Sequence, residues 1–410
     1  MLIVPILTWL FISAEILLAL PILYLCALSV AAMYGERGRK PVQATGISHK
    51  AASPADFAIL VPAHNEETVI GTLLASLAAL NYLPDRYTVY VVADNCSDST
   101  AALAREYDCE HNRVHVYERI DPVKRGKGYA LNWVLQKLAE DKHSHDAYII
   151  LDADSVVEPN FLLSMNRELV RGGQALQACN TVLNVTESPG TALRWIALTL
   201  VNHVRSLGRT RLGGSSTLNG NGMCLSHTLL ARYPWQAFGQ AEDYQYYLTI
   251  VEHGERVVYV PDAVVRSQMP ATFAQMRTQD IRWESSSGNQ STRQAVATLL
   301  KAGLKHRDFV RIEAVAELLT PPLSLLVSWC LLTFVFSLFI WHWSGLLVST
   351  LLIGGLLFYI GTAFYLLRPP QAVYKALLHA PGFVMWKLWV YFVLKRSRKH
   401  TSEWVRTSRA

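Results

Sequence analysis

From Ile6 to Tyr34 the chain is almost continuously apolar, interrupted by Glu15 and Pro21. That run exceeds the roughly 20 residues needed to cross about 30 Å of hydrocarbon, so a membrane span is predicted. Arg37, Arg39 and Lys40 follow the run instead of preceding it. This order disfavours a cleavable leader and predicts an outside N-terminus with the next domain in the cytoplasm. Glu15, near the outer end, reads as facing the interface or a neighbouring helix, with a functional ionisable group as the alternative.

Beyond this run the pattern shortens and alternates. Phe57–Pro62 and Thr88–Ala93 are apolar runs of strand type, separated by a helical pattern over Glu67–Leu80. Ser99–Tyr107 then reads as helix, Val114–Tyr117 as strand, Gly128–Leu138 as helix, and Ala147–Leu151 as a buried strand. Repeated strand–helix alternation predicts a mostly parallel sheet with ligands at the C-terminal strand ends. After Ser164 the alternation loosens through Gln174–Asn184, an apolar-basic helix around Leu193–Leu207 and the Gly-rich stretch Gly213–Gly222, where an acceptor site is expected. Tyr244–Glu252 reads as a helix, and Arg256–Val260 as a strand ended by Pro261-Asp262.

Two further long apolar segments, Leu318–Ile340 and Leu346–Leu367, flank a short loop with Trp341 and Trp343 and predict a transmembrane hairpin. Val373–Leu394 mixes aromatic and aliphatic residues with Lys375, His379 and Lys387. It reads as an interface helix, because another crossing would put the basic Lys395–Lys399 cluster outside. The resulting organisation is a span in 1–36, an α/β domain in 50–285, an amphipathic interface segment in 286–316, the hairpin in 317–368, and an interface helix with a basic tail in 369–410.

An apolar content of 51% with only 17% charge disfavours a purely soluble protein. The net charge of +6 gathers at Arg37–Lys40, Arg205–Arg211, Lys301–Arg311 and Lys395–Arg409, beside apolar stretches. Such clusters suit membrane lipids and argue against nucleic acid as a partner. Six cysteines without a C-x-x-C pair indicate neither a zinc site nor a disulfide framework, and point to a reducing compartment for the globular part.

The candidate chemistry sits at strand ends. Asp152-Ala153-Asp154 directly follows Ala147–Leu151, and two hard oxygen donors there can hold Mg²⁺ or Mn²⁺ and offset a diphosphate. Alone such a triplet is more often a solvated acidic turn. Asp94, and Pro62 with Glu66, end the two preceding strands, where carboxylates can accept hydrogen bonds from a nucleotide; helix capping is the plain alternative. Lys127 stands at a helix start between glycines, positioned to reach a phosphate. Glu242-Asp243 opens the helix before an aromatic run, with Asp243 the candidate base for an attacking hydroxyl. Gln279, Arg282 and Trp283 combine a diphosphate-pairing cation with a ring for stacking on a sugar; an interfacial tryptophan anchor is the alternative.

In this order the motifs resemble family 2 inverting glycosyltransferases, in particular the membrane branch of cellulose, chitin, hyaluronan and nodulation chitooligosaccharide synthases. The resemblance spans about Phe57 to Trp283. It implies a GT-A fold and a nucleoside-diphosphate sugar donor, with Mg²⁺ or Mn²⁺ at Asp154. It also implies nucleotide contacts from Glu66, Asp94, Lys127 and Asp152, a base at Asp243, and acceptor or diphosphate binding by Gln279, Arg282 and Trp283. Ala241 departs from the pattern, which has Thr or Ser before the Glu-Asp pair. Three crossings are too few to enclose a hydrated glycan channel. The expectation is therefore a multi-pass inner-membrane enzyme with its catalytic domain in the cytoplasm, moving one sugar from a UDP-sugar to a lipid-linked or membrane-held acceptor in cell-surface polysaccharide assembly. Export or assembly proteins are the expected protein partners. A short-chain processive synthase and a noncatalytic glycan-binding subunit are the competing readings.

Overall fold

The computed structural model describes residues 3–36, 54–111, 113–141, 143–239, 241–271, 290–339 and 343–396. Gln279, Arg282 and Trp283 lie outside the described residues. The chain forms two compact units, one made of 1–39, 186–214 and 290–398, the other of 40–185, 215–289 and 399–410.

The second unit is built on one eight-stranded sheet: β1 Phe57–Ala63, β2 Tyr87–Asp94, β3 Val114–Arg119, β4 Ala147–Ile150, β5 Ser155–Val157, β6 Ala175–Val182, β7 Met223–Ser226 and β8 Val257–Ser267. The order is β3-β2-β1-β4-β7-β6-β8-β5. The β3-β2-β1-β4 half is parallel, as the alternation predicts, and β6 pairs with β8 in parallel. β7 runs antiparallel to β4 and β6, and β5 antiparallel to β8, so the sheet is mixed α/β with parallel pairings in the majority. β1 is buried along its whole length, which is why it reads as an unbroken apolar run, whereas edge strand β3 is buried only at its two ends, Val114 and Arg119. Ile59, Val61, Leu73, Val91, Ile149, Phe161 and Leu176 join one core cluster. Each such fully buried aliphatic or phenyl side chain contributes about 1.5–3 kcal/mol relative to exposure.

Several boundaries differ from the pattern for identifiable reasons. The helix expected from Glu67 begins at Ile70, because the Glu66 and Glu67 amides donate to Thr100 Oγ1 and Asp98 Oδ2, at 2.8 and 3.2 Å. β8 does not end at Pro261-Asp262 but continues to Ser267. Its register with β6 jumps from Ala178↔Val260 to Cys179↔Val264, so Pro261 sits in a bulge where no ladder N–H is required.

In the first unit, Phe11–Tyr34 and Trp343–Leu367 are long and apolar enough to cross a bilayer. The span expected over Leu318–Ile340 is found as the helix Leu323–Phe339, set off by Thr320-Pro321-Pro322 from the preceding helix Phe309–Leu319, to which it is bent by 64°. Two prolines remove the donors that would carry the helix through. Among the described residues the candidate crossings thus number two, or three if the bent pair is one span. Val373–Leu394 resolves into Gln371–Ala376, a 3₁₀ turn Leu377–His379 and Ala380–Arg396.

The segment expected as a helix over Leu193–Leu207 lies within the range assigned to the α/β domain but packs with the apolar helices. It runs as Pro189–Leu198, a π-helical stretch Thr199–Arg205, and Ser206–Arg211. Ser188 starts it, its Oγ accepting from the Thr191 amide at 3.1 Å with Pro189 at the first helical position. Gly208 lets it approach the first span: a Cβ there would meet the Leu28 carbonyl oxygen at 2.4 Å. Its arginines are buried and paired, Arg209 with Glu313 at 2.6 Å and Arg205 with Glu317 at 3.1 Å, and Tyr24 donates to Glu313 at 2.6 Å.

Candidate active site

The C-terminal ends of β1 and β2 are finished by matching turns. Asn65 and Asn95 take left-handed backbone conformations, φ 56° and 52°, which asparagine tolerates better than most residues. Asn65 Oδ1 accepts from the Ser97 amide at 2.8 Å, and Asn95 Oδ1 accepts from the Asp121 amide at 2.9 Å, so successive strand ends are stapled together. Pro62 is buried within β1, and Glu66 is half-buried just beyond it.

Asp94 is fully buried at the end of β2. Arg119, at the end of β3 and itself buried, holds Asp94 Oδ1 at 2.5 Å. Arg119 also reaches Asp121 at 3.1 Å and the Lys124 carbonyl at 2.7 Å, ordering the loop that leads to Lys127. Burial raises the Asp94 carboxyl above the ordinary range, with Arg119 and Asn95 opposing. Among the described residues its Oδ2 has no hydrogen-bond partner.

Lys127 does not point free into a crevice. Its Nζ donates to Asp152 Oδ1 at 2.5 Å and to the Gly220 carbonyl, and lies 3.7 Å from Glu242 Oε1. Burial alone would lower this ammonium, but Asp152 and Glu242 raise it overall. Glu242 is buried and Asp243 half-buried at the start of the helix Glu242–Glu252. Burial raises both carboxyls, Glu242 to about 7, with Lys127 opposing in each case. A Cβ placed on Gly220 would stand 3.0 Å from Asp243 Oδ2 and 3.6 Å from Lys127 Nζ. Asp152, Lys127, Gly220, Glu242 and Asp243 therefore form one cluster, drawn from a strand end, a helix start, a loop and a second helix start.

The supports of this cluster are absent from the candidate residues of the sequence. Gly128 lets the loop before Glu242 lie on the Lys127 helix: a Cβ would meet the Ala237 carbonyl at 2.1 Å. Phe238 stacks on Tyr129 and Trp235 on Tyr246, each at 4.7 Å, fixing that loop between the two helices. Ala241, the departure from the family pattern, is the N-cap residue and supplies no side-chain cap.

Asp152 and Asp154 are half-buried, with Ala153 and Ser155 buried, in a turn closed by the Ser155 amide donating to the Asp152 carbonyl at 3.1 Å. Among the described residues no three His, Cys, Asp or Glu side chains converge as a complete cage. Two carboxylates without a third protein ligand suit a hard divalent cation that takes its remaining oxygens from water and a phosphate substrate. The donor set thus fits Mg²⁺ or Mn²⁺.

A family model described as glycosyltransferase like family 2 matches residues 54–286. The chain belongs to that family. Similar proteins include the probable glycosyltransferase YdaM of Bacillus subtilis, 26% identical over 236 residues, covering 57% of this chain and 54% of that one. A beta-monoglucosyldiacylglycerol synthase of Trichormus variabilis is 33% identical over 168 residues, 40% of this chain and 34% of that one. The chain thus spans from about a third to about half of the length of these relatives. Among solved structures, the mannosyltransferase PcManGT from Pyrobaculum calidifontis, in complex with GDP-Man and Mn²⁺, superposes with a TM-score of 0.53 at 15% identity, over 94% of this chain and 98% of that one. The fold is of GT-A type, with two to three candidate membrane helices.

Proposed function

We propose that this chain is a membrane-bound inverting glycosyltransferase. It moves a single sugar from a UDP-sugar to a lipid-linked or membrane-held acceptor at the cytoplasmic face of an inner membrane, in cell-surface glycan assembly. The carrying observation is the cluster of Asp152, Lys127, Glu242 and Asp243 around Gly220.

Asp243 accepts the proton of the attacking hydroxyl. Its raised pKa suits that role, since a base titrating nearer to working pH takes a proton with more driving force than an ordinary aspartate. Glu242, bound to Lys127, keeps the ammonium beside the acids and the base in register. Asp152 and Asp154 would hold Mg²⁺ or Mn²⁺, which when bound supplies positive charge against a diphosphate leaving group. Glu66 and Pro62 line the nucleotide side. The unpartnered Asp94 Oδ2 is an acceptor for the ring N–H that uracil and guanine carry and adenine and cytosine lack, and uridine is the nucleoside assigned to it. Gln279, Arg282 and Trp283 are assigned to the acceptor and the diphosphate.

A lipid acceptor is supported by the likeness to a beta-monoglucosyldiacylglycerol synthase and by the apolar helices. Residues 1–36 and 317–368 are read as membrane anchors, 286–316 and 369–410 as interface segments. The helix Gln290–His306 buries Ala295 and Leu299 and exposes Leu300 and Leu304 beside Lys301 and Lys305, the layout of a helix lying at a charged lipid surface. The test is a donor screen that reads UDP release from several nucleotide sugars, with and without a membrane lipid extract, on the wild type and Asp243→Asn. Lipid-dependent release by the wild type alone is expected. A ladder of oligomeric products would replace single transfer with short-chain synthesis, and no binding of UDP with Mn²⁺ would leave a noncatalytic subunit.

A further inference from the structure

Asn221 lies directly beneath the carboxylate turn and is 1% exposed. Its side chain is fully used. Oδ1 accepts from the Asp152 amide at 3.1 Å, and Nδ2 donates to Ser155 Oγ at 2.8 Å and to Ser267 Oγ at 2.9 Å. The amide orientation is set by chemistry, since the Asp152 N–H can only donate and so must face the carbonyl oxygen. Its main chain is held as firmly: the carbonyl accepts from Gln177 Nε2 at 2.8 Å, and Gln177 Oε1 accepts from the Asn219 amide at 2.9 Å. Glycines on either side, Gly220 and Gly222 at φ +73° and +72°, let the chain turn sharply enough to bring this amide under the turn.

One side chain therefore grips the first and last residues of the Asp152–Ser155 turn and ties them to the end of β8, where Ser155 and Ser267 are register partners. The preceding residue, Gly220, receives the Lys127 ammonium that bonds Asp152 Oδ1. Residues 220 and 221 thus fix the backbone of Asp152 from below and, through Lys127, its carboxylate from the side. Mg²⁺ and Mn²⁺ sites depend on where their few protein oxygens point, and outer hydrogen-bond partners typically set about 10–100-fold in metal affinity.

We propose that Asn221 is the positioning residue of the divalent-cation site, setting the spacing and direction of the Asp152 and Asp154 carboxylates. The inference rests on the reading of those two acids as the metal ligands. The test is Mn²⁺ binding to the full-length purified protein in the presence of UDP, followed by the electron paramagnetic resonance signal of free Mn²⁺. Asn221→Ala is expected to weaken Mn²⁺ binding about 10–100-fold, while UDP binding measured without metal is unchanged. Asn221→Asp keeps an acceptor for the Asp152 N–H and can take the two serine hydroxyls as donors, so it should bind Mn²⁺ no more weakly than wild type. Should Asn221→Ala fail to fold, Ser155→Ala/Ser267→Ala frees the same amide and is expected to weaken Mn²⁺ binding in the same sense. Wild-type Mn²⁺ affinity in the folded Asn221→Ala protein, or in the double variant where that one is lost, overturns the proposal. Asp154→Asn is the separate control: if it leaves Mn²⁺ affinity intact, the metal-ligand reading itself fails, whatever Asn221 does.

Discussion

Gly220→Ala is the smallest change that tests whether Asp243 sits where the chemistry needs it. The backbone at Gly220 has φ +73°, and an added Cβ would lie 3.0 Å from Asp243 Oδ2, against 3.4–4 Å for ordinary contact. Two effects follow. Holding alanine in the left-handed region costs about 1–2 kcal/mol, offset by about 0.4–1 kcal/mol from a less free unfolded chain, so net destabilisation is at most about 1.6 kcal/mol. The carboxylate must also retreat by a few tenths of an ångström. If 1 Å of misplacement costs about 10²-fold in rate, this retreat costs about five- to tenfold. Steady-state kinetics with the preferred donor, reading UDP release, should show kcat reduced by that factor with donor KM unchanged and thermal unfolding lowered by no more than about 6 °C. An unaltered kcat would refute the placement of the base beside this loop, and a rise in KM alone would move the contact to donor binding.

Other outcomes follow from the same geometry. Because burial raises the Asp243 carboxyl above the ordinary aspartate range, kcat/KM should climb with rising pH through a midpoint above that range. A raised carboxyl pKa favours the folded state below the unfolded value and loses that contribution as pH rises through the folded one. Glu242→Gln should therefore gain stability relative to wild type between pH 5 and pH 8, read from thermal unfolding. Removing divalent metal with EDTA should abolish transfer, and Asp154→Asn should raise the Mn²⁺ concentration giving half-maximal rate at least about tenfold. Arg119→Met strands the buried Asp94 charge and should destabilise the α/β unit by about 3–5 kcal/mol. Adding Asp94→Leu should recover part of the stability but not UDP binding, measured by titration calorimetry.

The parallel half of the sheet is legible in the sequence because each strand is an apolar run that ends in turn chemistry, and the acids at those ends, Asp94 and Asp152, follow directly from strand boundaries. The antiparallel insertion of β7 is not: Met223–Ser226 is four residues long and carries no period of its own. The same limit hides Asn221. Its stretch, Asn219-Gly220-Asn221-Gly222, reads locally as a flexible loop, and only the sheet order places it beneath Asp152. Arg119 reads as an edge-strand residue until Asp94 is seen to need a counterion. Lys127 is legible at its helix start, but as a free cation, since its acidic partners lie 25 and 115 positions away along the chain.

The stretch 189–211 shows why sequence polarity misleads in the unit that holds the long apolar helices. Arg205 and Arg209 belong to a basic cluster expected to suit membrane lipids, yet both are buried, because Glu317 and Glu313 meet them from one face of a single helix. Taking such charges out of water is expensive unless each is paired and its remaining donors are met, and here Tyr359 accepts from Arg205 Nε at 2.9 Å while Tyr24 donates to Glu313. The four charges cancel, so the network contributes orientation more than attraction: hydrophobic faces can slide, whereas paired Arg–Glu forks accept one register. The π-helical stretch Thr199–Arg205 fits that demand, since an extra residue in the helix rotates Arg205 relative to the turn before it. Helical periodicity assumes an unbroken 3.6-residue repeat, and it fails at this point because the tertiary charge pairing, written in residues more than a hundred positions downstream, fixes the local winding.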